Sequence, residues 1–169
     1  MKLARKSCNF TVKGEKGAFL TEHRRCVDSI IAYCNDYVYH GRLLPKKGNE
    51  VKYKSLPSKG YVHINSYSSP GKTGSRLNRA EAEAIVCWLE LEKDNLEKTY
   101  KKPIHEIVAV VTPFKAQEAE IRHQIQKISG NEKYKDMIIG TVHSLQGAQC
   151  PIVLFQQSTL RRPFSFYGA

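Results

Sequence analysis

The residue types able to do chemistry are concentrated in one stretch of this chain. Ile138-Ile139 leads into Gly140-Thr141-Val142-His143-Ser144-Leu145-Gln146-Gly147-Ala148-Gln149, and after Cys150-Pro151 a second apolar run follows, Ile152-Val153-Leu154-Phe155. Apolar residues that stop abruptly at Gly, Thr, His and Ser describe the end of a strand. There the hydroxyls of Thr141 and Ser144, the His143 imidazole and free backbone N–H groups can gather around phosphate oxygens without using a formal charge. Gly147 permits a positive φ or a close backbone approach. The competing reading is an ordinary polar strand-to-loop transition.

Two further segments carry polar groups at element boundaries. Phe19-Leu20-Thr21-Glu22-His23-Arg24-Arg25-Cys26 precedes a helical pattern. A guanidinium is permanently charged and binds phosphate bidentately, which suits phosphate capture better than lysine. Arginines at a helix N-terminus oppose the macrodipole and so point to an anion nearby, whereas a solvated helix start is the plainer alternative for Arg24-Arg25. Val110-Val111-Thr112-Pro113-Phe114-Lys115-Ala116-Gln117 closes one apolar run and opens another helix. Phe114 either stacks on a base or caps the core.

These segments resemble, in order, motifs of superfamily 1 nucleic-acid helicases, in the subfamily that includes the nonsense-mediated-decay helicases. Gly140 to Gly147 is similar to motif V, Gly-Thr-Val-x-Ser-x-Gln-Gly. Phe19 to Cys26, with Tyr39-His40-Gly41-Arg42-Leu43 downstream, resembles motif IV, with Val27 where proline is common. Thr112 to Gln117 resembles a strand-Thr-Pro-aromatic-x-x-Gln segment, and Arg76-Leu77-Asn78-Arg79-Ala80-Glu81-Ala82 resembles an Asn-x-x-Glu-Ala helix start. The resemblance implies that Thr112, Pro113, Lys115, Gln117, Thr141, His143 and Ser144 line a nucleic-acid backbone. It implies that Arg24 reaches the γ-phosphate across a domain cleft, and that Gln146 and Gly147 face the nucleotide. Arg24 and Gln146 are thus the catalytic candidates, and Arg24, Gln146, Gly147 and Gln149 the nucleotide-binding ones. Gln149 stands where the family has Glu; its amide can bond a ribose hydroxyl but does not act as a carboxylate.

Those motifs need elements to hold them. Val27, Ile30, Ile31, Cys34 and Val38 are spaced as one face of a helix, with Asp28 and Ser29 as acceptors near its start and Gly41 and Pro45 to stop it. A second stripe, Ala82, Ile85, Val86 and Leu89, follows Asn78 as N-cap. A third, Ile121, Ile125 and Ile128, ends near Gly130. Ile107 to Val111 is continuous and β-branched, as suits a parallel strand covered on both faces. Met137-Ile138-Ile139 and Pro151 to Phe155 look similar, and Tyr61-Val62-His63-Ile64 is a weaker strand candidate. Alternation of strand and helix predicts an α/β fold built of βα units around an open parallel sheet, and the resemblance implies that it is RecA-like, with helices on both faces. Ligands of such sheets sit at the carboxyl ends of the strands. Pro45 to Lys59 and Ser66 to Ser75 read as basic, Gly/Ser/Pro-rich connections.

Composition agrees with this reading. The chain has 169 residues, enough for one domain with a core, and 27 Lys and Arg stand against 16 Asp and Glu, a formal charge of +11. That surplus favours a polyanion partner, of which nucleic acid is the commonest, with a merely basic soluble protein or an anionic-membrane binder as the alternatives; the resemblance implies single-stranded nucleic acid. Cys8, Cys26, Cys34, Cys87 and Cys150 make no CxxC pair. Zinc at Cys26 and Cys34 with His23 and His40 lacks finger-like spacing, so buried thiols in a reducing cytoplasm are expected. No run of about 20 apolar residues exists to span a bilayer, and the basic N-terminus is not followed by a signal-peptide core.

The expectation is therefore one RecA-like domain over 1–169, with the resemblance spanning about 19–155 and a divergent tail over 156–169. Arg161 and Arg162 lie outside any motif VI context, so no arginine finger is assigned to them, and the sheet is expected to be incomplete at its C-terminal edge. Gly71-Lys72-Thr73 lacks the glycine that a Walker A loop needs where Ser66 stands. ATP and Mg2+ are then expected only together with a first RecA-like domain supplied in trans or missing from this chain. The alternatives are a non-catalytic nucleic-acid-binding remnant or regulatory module, and a small nucleotide-binding α/β protein. The chain alone should turn over no ATP, even with single-stranded DNA present; phosphate release above background in a coupled assay would contradict this.

Overall fold

The computed structural model describes residues 11–12, 15–16, 19–48, 56–70, 75–130, 132–145, 147 and 149–157. Its contacts divide the chain into two compact units, Met1–Tyr61 and Val62–Ala169, each described in turn. Gly71-Lys72-Thr73, Gln146, Arg161 and Arg162 lie outside the described residues. No helix among the described residues is long and apolar enough to cross a membrane.

In the first unit β1 (Thr11–Val12) pairs antiparallel with β2 (Glu15–Lys16), and β3 (Glu22–His23) pairs in parallel with β4 (Leu44–Pro45). A parallel pair needs a crossover, and α1 (Asp28–Tyr37) supplies it. The return is fixed by Asn35, whose amide closes on both backbone groups of Leu43: Leu43 N–H donates to Oδ1 at 2.8 Å and Nδ2 donates to Leu43 O at 3.0 Å. His40 and Gly41 take left-handed φ of 52° and 74°, which ends the helix just beyond Tyr37.

Three expectations change here. Asp28 and Ser29 do not cap α1, since the N-cap residue is Val27, without a side-chain bond. Asp28 instead accepts from Gly48 N–H at 3.0 Å, and Ser29 bonds Ser58 at 2.7 Å. Of the predicted stripe only Val27 and Ile31 are buried, while Ile30, Cys34 and Val38 are exposed. The buried-thiol reading fails likewise for Cys34 and Cys87, both exposed; Cys26 and Cys150 are half-buried, and burial raises the Cys150 thiol pKa.

In the second unit β5 (Ser69–Pro70) pairs antiparallel with β6 (Arg76–Leu77), so part of the predicted Ser66–Ser75 loop is a hairpin. Then come α2 (Arg79–Tyr100), the short α3 (Ile104–Ile107), β7 (Val108–Val111), α4 (Lys115–Ser129), β8 (Ile139–Gly140), a 3-10 turn (Val142–Leu145) and β9 (Ile152–Phe155). The sheet runs β8-β7-β9 and is parallel throughout. This is the α/β architecture with a parallel sheet that strand-helix alternation predicts, consistent with the RecA-like fold that the resemblance implies.

Asn78 caps α2 as expected, its Oδ1 accepting from Glu81 N–H at 3.2 Å. Ala82, Val86, Leu89 and Leu96 form the buried face of α2, and α4 contributes Ile121 and Ile125. Each fully buried Leu or Ile side chain contributes roughly 1.5–3 kcal/mol. Ile128, one turn further along α4, is 42 % exposed and leaves the predicted stripe. The Glu97 carboxylate accepts from Ile104 N–H at 2.8 Å and so caps α3, which is why the strand starts at Val108 and Ile107 completes a helical turn instead.

All four residues of β7 are buried, so both its faces are covered, as its continuous β-branched run predicts. β9 differs from that expectation: Val153 is 49 % and Phe155 60 % exposed, alternating with half-buried Ile152 and Leu154. The face of β9 that carries Val153 and Phe155 is therefore open to solvent. Tyr61 to Ile64 forms no strand; Tyr61 and Val62 stand almost fully in solvent with no neighbouring strand to pair with.

A charged clamp ties α2 to the segment before β8. Lys133 Nζ donates to Glu90 Oε2 at 2.6 Å, and the buried Tyr134 hydroxyl donates to Oε1 at 2.8 Å. Burial alone raises a carboxyl pKa, but these donors outweigh it and hold Glu90 at about 2, below its ordinary 4.5. Burial and the adjacent carboxylate push the Tyr134 phenol up. Because the folded-state pKa of Glu90 is depressed, its stabilisation is complete above pH 4.5 and disappears as pH falls toward 2. Glu90→Gln should therefore lower stability by about 1 kcal/mol at neutral pH. The deficit, measured by urea denaturation across pH, should shrink through that acidic window; a deficit independent of pH would contradict the assignment.

Candidate nucleic-acid interface

Three strand ends build the candidate site. In register Val111 lies opposite both Gly140 of β8 and Phe155 of β9, so the next residues, Thr112, Thr141 and Gln156, emerge along one edge of the sheet. Thr112 N–H donates to Gly140 O at 3.0 Å and Gln156 N–H to Val111 O at 2.8 Å, extending the ladder one step past each strand. This edge is the carboxyl end of a parallel sheet, where open α/β folds hold ligands.

The polar residues on this edge fall into two layers. Thr112 and Gln117 are 0 % exposed, with Asn78 at 3 % and Gln156 at 6 %. Thr112 Oγ1 donates to Gln156 Oε1 at 2.8 Å and accepts from Phe114 N–H at 3.3 Å. Gln117 accepts from Asn78 N–H through Oε1 and donates to Asn78 O through Nε2 at 3.0 Å. Gln156 Nε2 donates in turn to Glu81 Oε2. Burial of so many polar groups is tolerated because they bond one another. Thr112 and Gln117 therefore present no surface to a ligand. The direct contact with nucleic acid that the resemblance implies for them is not presented at the surface of this structure.

Above them lie the residues that do reach solvent. Pro113, Lys115, His143 and Ser144 are exposed, and Thr141 and Phe114 are half-buried. Lys115 is the first residue of α4, whose N-cap, Phe114, makes no side-chain capping bond. Thr141 to Leu145 closes as a 3-10 turn, with Ser144 N–H donating to Thr141 O at 2.8 Å. Gly140 makes that turn possible: a Cβ there would press on Ser144 Oγ and lie 3.0 Å from its Cβ. Arg122 reaches from α4 to bond Ile139 O at 2.8 Å, anchoring β8 just before the turn.

The nucleotide candidates are placed as follows. Gly147 takes φ of 87°, the left-handed conformation that glycine allows without strain, and it is exposed, as is Gln149. Arg24 belongs to the first unit. Its Nη2 bonds Glu22 Oε2 at 2.7 Å and its Nε at 3.0 Å, and the guanidinium holds the Glu22 carboxyl below its ordinary pKa. Both side chains are at least half exposed, where such a pair is worth little and yields to a phosphate at small cost. His23, weighed above as a zinc ligand, accepts from Cys26 N–H through Nε2 at 3.0 Å.

Sequence reasoning missed Gln156. Its signal was available: it is the polar residue directly after an apolar strand, the position that Thr112 and Thr141 hold after theirs. Glu81 was read only as part of a helix start.

A family model described as an AAA domain matches residues 5–162, and the chain belongs to that family, whose members are associated with superfamily 1 helicase-type AAA domains. The match supports a helicase-like, nucleotide-binding class of domain. No curated protein matches the chain. AAA-type domains generally bind ATP with Mg2+. Among the described residues, no group of three or more His, Cys, Asp or Glu is placed to hold a metal. Arg24, Gly147 and Gln149 are exposed groups that can bond phosphate or ribose oxygens.

Gly140→Ala should lower stability by about 1–3 kcal/mol by overpacking the turn. Gly140→Ala combined with Ser144→Gly should recover much of the loss, because the second change removes the atoms the new methyl meets. Thermal melts of the two variants and the parent check this; equal losses in both would disprove the steric account.

Proposed function

We propose that this chain is the second RecA-like domain of an ATP-dependent nucleic-acid helicase, supplying half of an ATP cleft and part of a single-strand track. The observation that carries the reading is the alignment of two loops at adjacent parallel strand ends. That alignment presents Lys115 and Pro113 beside the turn bearing Thr141, His143 and Ser144. Lys115 supplies a positive charge at a helix N-terminus, where the macrodipole also favours an anion. The hydroxyls and the imidazole add hydrogen-bonding groups suited to phosphate oxygens and to no particular base.

Within that reading Arg24 contributes a guanidinium to the γ-phosphate, and Gln146, Gly147 and Gln149 lie toward the nucleotide. ATP and Mg2+ are held together with a first RecA-like domain, which supplies the phosphate loop and the metal-binding carboxylates. This chain's own residues bind strand phosphates, hold the loop geometry and offer Arg24; the bound nucleotide supplies the energy. The alternative, a nucleic-acid-binding module without catalysis, uses the same outer layer and differs only in leaving Arg24, Gly147 and Gln149 without a role.

The test is binding of a fluorescent oligo-dT or oligo-rU probe to the full chain as salt is varied. Affinity should fall with salt, and Lys115→Ala should lower it several-fold while reducing the slope of log K against log salt by about 0.7, one phosphate contact on a single strand. His143→Ala should weaken binding with the slope nearly unchanged. Lys102→Ala, just beyond the far end of α2, should do neither. Affinity flat from low to moderate salt, or a Lys115→Ala variant that binds as the parent does, would overturn the reading.

A further inference from the structure

In the buried layer under the strand-end loops, Gln156 bonds side chains from two other elements. Gln156 accepts the Thr112 hydroxyl proton at 2.8 Å through Oε1 and donates through Nε2 to Glu81 Oε2, while its own N–H is bonded to Val111 O. Thr112 Oγ1 in turn accepts from Phe114 N–H at 3.3 Å. Glu81 lies in the first turn of α2, whose cap, Asn78, is gripped on both backbone groups by Gln117 of α4. A single amide therefore joins the end of β7, the end of β9 and the start of α2.

The direction of each bond is constrained. A Thr hydroxyl that accepts from Phe114 has its proton free to donate, and it points to Gln156 Oε1. That leaves the Gln156 NH2 facing Glu81, an acceptor when ionised. Carboxylate, amide, hydroxyl and backbone N–H form one polarised chain, Glu81←Gln156←Thr112←Phe114, running from the start of α2 to the residue preceding Lys115. Chains of this kind act as a unit, and a reversed or missing member is felt along them.

We propose that Gln156 is a positioning residue that sets the 112–115 loop and couples it to the start of α2 through Glu81. Thr112 then acts through this relay and not by touching the ligand. The proposal rests on the reading of the outer layer as a nucleic-acid face, but its principal readout does not.

The experiment uses the full chain with Gln156→Glu, Glu81→Gln and the pair combined. In the Gln156→Glu variant the new carboxylate still accepts from Thr112 but is set against the carboxylate of Glu81. The double variant restores a carboxylate–amide pair with the donor moved to position 81. Amide hydrogen exchange is followed at Phe114, whose N–H ends the relay. Gln156→Glu should speed exchange at Phe114 by about tenfold and weaken oligo-dT binding by about fivefold; the double variant should return both to near the parent values. Should Gln156→Glu not fold, as judged by circular dichroism, Gln156→Met tests the same bond and should likewise expose Phe114. Unchanged exchange at Phe114 in the single variant, or faster exchange that the double variant does not repair, overturns the proposal. If the parent binds no oligonucleotide yet protection from exchange at Phe114 is lost and restored as stated, the relay stands and the nucleic-acid reading falls.

Discussion

Burial of β7 on both faces constrains everything else in the 62–169 unit. A strand with no solvent-facing side chain can be made only of apolar residues, and its polar business is forced to its ends. At the carboxyl end that business begins at Thr112, which is itself fully buried and must find partners inside the protein. The partners come from β9 and, through Gln156, from α2. The loops that reach solvent stand on this satisfied layer.

The two layers have different physical jobs. Groups in the inner layer are desolvated, so their bonds are strong, directional and costly to break. Groups in the outer layer are solvated; in the proposed function Lys115 would make a salt-sensitive contact with a polyanion, and the neutral groups short hydrogen bonds, each individually weak. Holding weak contacts on a rigid floor keeps Lys115, His143 and Ser144 in fixed relation to one another. Gly140 serves the same end by steric means, because only a residue without a Cβ lets the Ser144 side chain lie back over the strand. Elsewhere in the unit, the Glu90, Lys133 and Tyr134 clamp and the Glu97 cap on Ile104 tie the helices to the segments between them.

The first unit follows a looser logic. Its parallel pair of short strands and ten-residue helix bury few apolar side chains, and much of its order comes from local bonds such as those of Asn35 to Leu43. Arg24 sits on this unit with its charge directed to Glu22, ready for exchange rather than locked. In the proposed role at a phosphate, a weak exposed pair is easier to exchange than a buried one, since breaking a buried pair costs several kcal/mol.

What the sequence determined by itself was whatever depends on short-range pattern. Strand-helix alternation, the Asn78 cap, the covered character of β7 and the positive φ of Gly147 were all legible, because local periodicity and backbone sterics dictate them. The helicase-like class of domain was legible too, since its motifs are contiguous residues. Side-chain roles were less so. Thr112 and Gln117 carry polar groups beside a predicted site, yet whether such a group faces ligand or core depends on which distant residue meets it. Gln117 meets Asn78, and Thr112 meets Gln156, across 39 and 44 positions of chain. The exposure of Cys34, Ile30 and Ile128 was hidden for the same reason, as a helical stripe says which side chains align but not how wide a surface packs against them. Only the tertiary structure, by register and by burial, sorted the polar residues at the sheet edge into a floor and a face.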